Sequence, residues 1–341
     1  MSGRLRIVTH GRRWLEEVPA SPLRWLLIPL WLPWRLVIGL RGIIYDRQLT
    51  AVQRLGVPVI SIGNLTAGGT GKTPAALAVI ALLRARGRHP AILSRGYRGV
   101  QGVNEEALLA GDVPVVCDPD RVAGGRRAIT GGADCLVLDD GFQHRRLHRD
   151  LDIVLIDVTR PWGRNDGGHG AVLPLGYLRE GRAALKRADL LWLTRTDLVA
   201  PERLGRLRAE LAGLAPLVEE RATAMSLMPL TGGTAEPATA WQGRRVMLVS
   251  GIGNPAAFET AVGKAGLIVV ESHRFPDHHH FSAADAALLM ATAAHADATL
   301  VMTGKDAVKL RALPGFDGHV LEVSSALVDH APLAAALTRI T

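Results

Sequence analysis

Cysteine is nearly absent: Cys117 and Cys135 are the only two, and they form no C-x-x-C pair. That scarcity excludes a disulfide framework and a thiolate zinc site, and it suits a reducing compartment. Membrane-spanning apolar runs are also missing. The uncharged stretch Trp25–Trp34 is too short for a bilayer, which takes about 20 residues, and it contains Pro29 and Pro33. Arg35 and Arg41 follow it and no small-residue cleavage site appears, so it does not read as a secretory signal. No sequence repeat links the two halves. Charged residues make up only 21% against 48% hydrophobic, which excludes a disordered polyelectrolyte and indicates a folded enzyme. At 341 residues the chain is expected to form two domains, because one core rarely outgrows about 250–300 residues.

The formal charge of +8 is uneven. Residues 1–50 carry eight Arg against Glu16, Glu17 and Asp46, and four of the seven Trp (14, 25, 31 and 34). Indole rings at headgroup depth with guanidinium groups on anionic lipid are what an interfacial helix requires. The competing reading is a helix packed on the protein's own core. A nucleic-acid patch fits less well, since the basic residues alternate with Leu, Ile and Trp. Docking to a membrane surface is therefore expected.

The stretch around which the chain is organised is Val57–Thr73, VPVISIGNLTAGGTGKT. A buried strand runs into a turn built from Gly63, Gly68, Gly69 and Gly71, whose backbone can present N–H groups to an anion. Lys72 supplies a charge for β/γ-phosphate oxygens and Thr73 a hydroxyl for Mg²⁺. Pro74 fits the first turn of an apolar helix, Ala75–Leu83. The phosphate-loop motif places Gly at position 66, where this chain has Thr66.

Downstream, CLVLDD (135–140) reads as an apolar strand ending in two carboxylates, the arrangement in which an Asp holds Mg²⁺ below a phosphate cradle. His89–Ser94 reads as a strand leading to Arg95 and Tyr97, at a crevice edge or in a plain surface turn. Pro114–Cys117, Ile153–Asp157 and Leu190–Thr194 read as further strands, and Arg121–Ile129 as a helix. Asn104-Glu105-Glu106 reads as a capped helix start. Thr194-Arg195-Thr196-Asp197 is similar to the Asn/Thr-Lys-x-Asp with which GTPases read guanine, with Arg in the Lys position. Residues 198–225 are expected to be helical, and 228–243 to be a linker or β-ribbon. A second strand–loop–helix series starts at Val246. Within it, Asp277 beside His278 is a pair in which a carboxylate can orient an imidazole, the competing reading being a solvated His-rich turn.

VPVISIGNLTAGGTGKTP, LSRGY, DDGFQHRRL, LPLGYLRE, SGIGNP, FPDHHHF and VMTGKDAVKL, after the Trp/Arg-rich start, resemble tetraacyldisaccharide 4′-kinase, the lipid A 4′-kinase family of Gram-negative bacteria, in the family's order. The family's own loop also starts without Gly, which accounts for Thr66. The resemblance implies an α/β fold: a P-loop NTPase-like parallel-sheet domain and a second, smaller α/β domain joined by a β-ribbon, plus an N-terminal amphipathic membrane-docking helix. The expected divisions are a membrane-associated helical segment at 1–50, the kinase domain at 51–227, the linker at 228–245 and the smaller domain at 246–341. The last residues are expected to return to the first domain.

The activity implied is transfer of the ATP γ-phosphate to the 4′-hydroxyl of a tetraacylated glucosamine disaccharide 1-phosphate at the cytoplasmic face of the inner membrane. No nucleic acid and no obligate protein partner are expected. Thr66, Ala67, Gly68, Gly69, Thr70, Gly71, Lys72 and Thr73 would wrap the phosphates. Thr73 and Asp139, with Glu106, would hold Mg²⁺. Asp140 would line the reacting centre, and Arg95, Tyr97, Gln143 and Arg179 would contact substrate. The family's catalytic Asp is matched by Glu105, assisted by Asp277-His278, with Asp112 as rival. The other reading is a P-loop GTPase/ATPase switch or metallochaperone without a small-molecule acceptor.

Overall fold

The computed structural model describes residues 4–7, 26–96, 112–163, 170–277 and 279–340. In chain order the elements are β1 (Arg4–Ile7), α1 (Ile28–Asp46), β2 (Val59–Asn64), α2 (Lys72–Arg84), β3 (Pro90–Ser94), β4 (Val115–Cys117) and α3 (Arg121–Thr130). Next come β5 (Cys135–Asp139), β6 (Leu151–Asp157), β7 (Leu190–Thr194), α4 (Pro201–Leu211), β8 (Leu217–Pro229) and β9 (Glu236–Pro237). The remainder is β10 (Arg245–Ser250), α5 (Pro255–Lys264), β11 (Ile268–Arg274), α6 (Ala283–His295), β12 (Thr299–Thr303), α7 (Gly304–Leu310), β13 (His319–Leu327) and α8 (Ala331–Thr338). By internal contacts the chain divides into two units: Val18–Glu220 with Leu327–Thr341, and Met1–Glu17 with Arg221–Ala326.

The larger unit is built on a parallel sheet of order β8–β7–β6–β2–β5–β3–β4. Its five central strands, β7, β6, β2, β5 and β3, are buried on both faces, which is why they read as near-continuous apolar runs. On one face Ala76, Val79, Ile80 and Leu83 of α2, with Leu333, Ala336 and Leu337 of α8, pack on Ile60, Ile62, Val137 and Ile153. On the other, Leu204, Leu207 and Leu211 of α4 meet Val154, Ile156, Leu191 and Leu193. Each such side chain contributes about 1.5–3 kcal/mol by leaving water. The chain leaves β2 through α2 to reach β3, beyond β5, and later passes from β5 to β6 on the other side of β2. That reversal opens a crevice at the C-terminal ends of β2, β5 and β6.

The smaller unit has its own parallel sheet, β1–β11–β10–β12–β13, over a core that includes Met247, Val249, Leu289, Met302 and Leu310. Its helices start where the sequence supplies caps. Asn254 accepts from the Ala257 amide ahead of α5, Ser282 and Asp285 form a reciprocal box ahead of α6, and Thr303 caps α7.

Two expectations are corrected. Residues 198–225 are not one helix: α4 stops at Leu211, Gly213 takes a left-handed φ of 79°, and β8 begins after Pro216. Gly and Pro end the helix there, and the chain resumes as a strand whose Leu217–Glu219 pair with β7. Within 228–243, Glu236–Pro237 pairs antiparallel with Ser226–Leu227 of β8, followed by a 3₁₀ turn at Ala238–Trp241. Arg4–Ile7, expected within a helical segment, is strand β1. β13 and α8 were not foreseen from the sequence.

Gly63 shows how tightly the crevice is built. A Cβ there would lie 2.5 Å from Phe142 Cβ and 2.8 Å from its backbone nitrogen. Gly63→Ala is expected to cost about 2–3 kcal/mol, read from the urea midpoint, through backbone displacement beside the crevice. A loss below about 0.5 kcal/mol would contradict this packing.

Candidate functional site

β2 delivers Asn64 to the mouth of the glycine turn. Gly68 and Gly71 take left-handed φ values of 108° and 89°, and Gly71 is the residue from which α2 starts. The first amides of α2 therefore face the crevice without helical partners, a place suited to an anion. The first half of the turn is braced by LPLGYLRE: Ala67 N–H donates to Tyr177 O at 2.8 Å, and Arg179 N–H to Leu65 O at 2.7 Å. Thr66, standing where the motif has Gly, forms a bridge with Leu178.

At this crevice the charges form one connected group. Lys72 Nζ lies 3.3 Å from Asn64 Oδ1 and 3.5 Å from Asp140 Oδ1. Arg179 Nη1 donates to both Asp140 oxygens at 2.7 and 2.6 Å and to Gln143 Oε1 at 3.4 Å. Gln143 Nε2 donates to Asn64 O at 3.0 Å. Burial works against the Asp140 charge, but Lys72 and Arg179 more than offset it and hold its carboxyl below the usual range. Asp140 also has a positive φ of 54°, uncommon for a side-chain-bearing residue and typical of functional turns.

A divalent cation fits the donor set. Asp139 ends β5 as a buried carboxylate and Thr73 offers a hydroxyl in the first turn of α2. These are hard oxygen ligands of the kind Mg²⁺ prefers. Within the turn, the Thr70 hydroxyl is buried with no hydrogen-bond partner among the described residues, a polar atom that a phosphate oxygen would satisfy.

The structure thus gathers Lys72, Asp140, Gln143 and Arg179. The last two, expected to contact substrate, have side chains already tied to Asn64 and Asp140. Arg95 is exposed beyond the end of β3. Tyr97, Glu105, Glu106 and His278 lie outside the described residues. The rival base Asp112 pairs with Arg84 in the last turn of α2, at 2.9 Å. That helix is 13 residues long, so Asp112 stands at the end opposite Lys72. The separation is roughly 18 Å, at about 1.5 Å per residue.

In the smaller unit, Asp277 follows β11. The adjoining His279 stacks on Phe275 at 4.7 Å, with Asp285 3.4 Å from its Nε2. Asp306, fully buried, accepts from Gly251 N–H at 3.0 Å and Thr303 Oγ1 at 2.6 Å. Burial pushes its carboxyl above the usual range.

Sequence reading missed Asn64. Its side chain donates to Thr66 O at 2.8 Å and accepts from Lys72, so one residue fixes both ends of the turn. The available signal was an amide residue at the end of a buried strand, directly ahead of the glycines.

Residues 23–341 match the model of the family described as tetraacyldisaccharide-1-P 4′-kinase. The chain is 45% identical over 304 residues to tetraacyldisaccharide 4′-kinase of Anaeromyxobacter dehalogenans (strain 2CP-C), covering 82% of this chain and 79% of the relative. It is 40% identical over 344 residues to the enzyme of that name from Geobacter metallireducens, covering 92% and 97%. Its fold is similar to a crystal structure of LpxK from Aquifex aeolicus in complex with ATP, with a TM-score of 0.68 and 28% identity over 93% of this chain and 99% of that one.

His144, beside Gln143, carries a testable consequence of the site's positive field. Burial, then Arg121, Arg149 and Arg41, push its imidazole down to about 4 from an ordinary 6.5. Between those values the unfolded chain binds a proton that the folded chain refuses. Stability therefore falls as pH drops from about 6.5 toward 4. Urea unfolding across that window should show a steeper acid loss for wild type than for His144→Gln; equal slopes would contradict the assignment.

Proposed function

The chain belongs to the tetraacyldisaccharide-1-P 4′-kinase family, and on that footing we propose how its residues divide the work of an ATP-dependent lipid A 4′-kinase. The observation that carries the reading is the group Asn64–Lys72–Asp140–Arg179 at the glycine turn. In the reaction, the substrate 4′-oxygen forms a bond to the γ-phosphorus as the bond to the β–γ bridging oxygen breaks, and ADP leaves. Residues 66–73 cradle the polyphosphate, and Lys72 offsets γ-phosphate charge. Asp140 keeps Lys72 and Arg179 aimed at the same place. Thr73 and Asp139, with Glu106, would hold Mg²⁺, which draws off phosphate charge when bound. Glu105 takes the proton of the attacking hydroxyl, with Asp277-His278 assisting it.

Helix α1 supports docking at the cytoplasmic face of the inner membrane. None of its 19 residues is buried. Trp31, Ile38, Gly42 and Tyr45 are half-buried, and Trp31 Nε1 donates to Val172 O at 3.1 Å. Leu32, Leu36 and Leu40 form an outward stripe, each half exposed or more. No helix among the described residues is long and apolar enough to cross a membrane. The helix is also joined to the crevice, since Arg41 donates to Gln143 O at 2.8 Å. An acceptor whose acyl chains sit in the bilayer requires a site held at that depth.

Incubation with ATP, Mg²⁺ and a tetraacyl disaccharide 1-phosphate in detergent should yield a product heavier by one phosphate. Lys72→Ala should abolish it and Glu105→Gln should lower the rate about 100-fold or more. GTP preference, or hydrolysis indifferent to lipid, would favour the switch NTPase instead. In a separate assay, Leu36→Asp with Leu40→Asp should release the protein from phospholipid vesicles while leaving ATP affinity unchanged. Undiminished vesicle binding would remove α1 from the docking role.

A further inference from the structure

The tetrapeptide Thr194-Arg195-Thr196-Asp197 reaches the phosphate turn from its back. Thr194, the last residue of β7, donates from Oγ1 to the Thr70 carbonyl at 3.2 Å. Arg195 donates from Nη1 to the Gly69 carbonyl at 3.3 Å. The same nitrogen pairs with Asp157, whose side chain is fully buried at the end of β6. Asp157 is in turn fixed by the Thr159 N–H at 3.0 Å and its hydroxyl at 2.6 Å. Arg160 Nε stands 3.8 Å from the same carboxylate. Arg195 itself takes a left-handed φ of 61° to make this reach.

Two consecutive carbonyls of the turn are thus held by two consecutive residues of another strand. A trans peptide is planar, with its C=O and the following N–H pointing in opposite directions. Drawing the Gly69 and Thr70 carbonyls toward β7 therefore turns the Thr70 and Gly71 amides away from it, into the concavity of the turn. We propose that Thr194 and Arg195 are positioning residues that aim the cradle's amides at the nucleotide's phosphates by holding its carbonyls from behind. The role rests on the reading of residues 66–73 as the ATP cradle. It gives TRTD work in phosphate binding, with no need for guanine.

Such amides contact phosphate oxygens in the ground and transition states alike. Loosening them should raise KM for ATP and leave kcat nearly intact. The full-length protein would be compared with Thr194→Val, Thr194→Ser, Arg195→Met and Arg195→Lys by ATP titration, steady-state kinetics and melting of the nucleotide-free protein. Thr194→Val and Arg195→Met should each raise KM for ATP about tenfold, the loss of roughly one net hydrogen bond's worth of binding. KM for the lipid acceptor should not change. Thr194→Ser and Arg195→Lys keep a donor and should stay within about threefold of wild type. Should Arg195→Met fail to fold, leaving Asp157 buried beside a lost cation, Thr194→Val still decides, because it keeps the side-chain shape. An ATP KM within about twofold of wild type in Thr194→Val overturns the proposal, as does an equal rise for both substrates. A wild type that binds no ATP, or binds it undiminished in Lys72→Ala, overturns the cradle reading itself.

Discussion

Asp140 stands between two cations, and the geometry of the crevice depends on it. Without that carboxylate, Lys72 and Arg179 would be like charges crowded at the mouth of one glycine turn, repelling each other across a partly dry space. With it, their repulsion is offset and both are held in place, while one carboxylate against two cations leaves the group a net positive charge. The cost is a left-handed backbone at Asp140, which the following Gly141 and the buried Phe142 hold in position. Asn64 completes the arrangement from the other side, taking Lys72 and the Thr66 carbonyl with one amide group.

Helix α1 connects this crevice to whatever its outer face contacts. Its inner residues make specific polar contacts with the larger unit, including Arg145 to Gly42 O at 3.2 Å and to Asp46 at 2.7 Å. Both Arg145 contacts, and that from Arg41 to Gln143 O, fall on the GFQHRR turn. No residue of the helix is fully buried; Trp31, packed against the core cluster of Val172 and Leu178, joins these hydrogen bonds and the Arg–Tyr45 stacking in setting its orientation.

Much of the larger unit was legible because parallel strands covered on both faces announce themselves. VISIGN, PAILS, CLVLD and LLWLT are all apolar runs ended by small or acidic residues. The glycine turn and Asp139-Asp140 were legible because their chemistry lies within a few consecutive residues. What was not legible depends on long-range partners. Arg195 looks like a base-reading residue until Gly69, 126 positions away, and Asp157, 38 away, are placed beside it. Likewise the APLAAALT of α8 has almost no amphipathic signal, since alanine is content on either face. The error over 198–225 came from charge-rich composition, which suits an exposed helix and a half-exposed strand equally.

The docking of α8 on β7, beside α2, bears on how the molecule is made. Leu333, Ala336 and Leu337 belong to the same buried cluster as Ala76, Ile80 and Leu83 behind the glycine turn. During synthesis the larger unit's first strands emerge from the ribosome some 270 residues before those side chains do. Until then the face of the sheet beside α2 stays partly uncovered, an apolar surface that invites chaperones and sticky collisions. The cluster behind the glycine turn is finished late, although most of its unit is translated early.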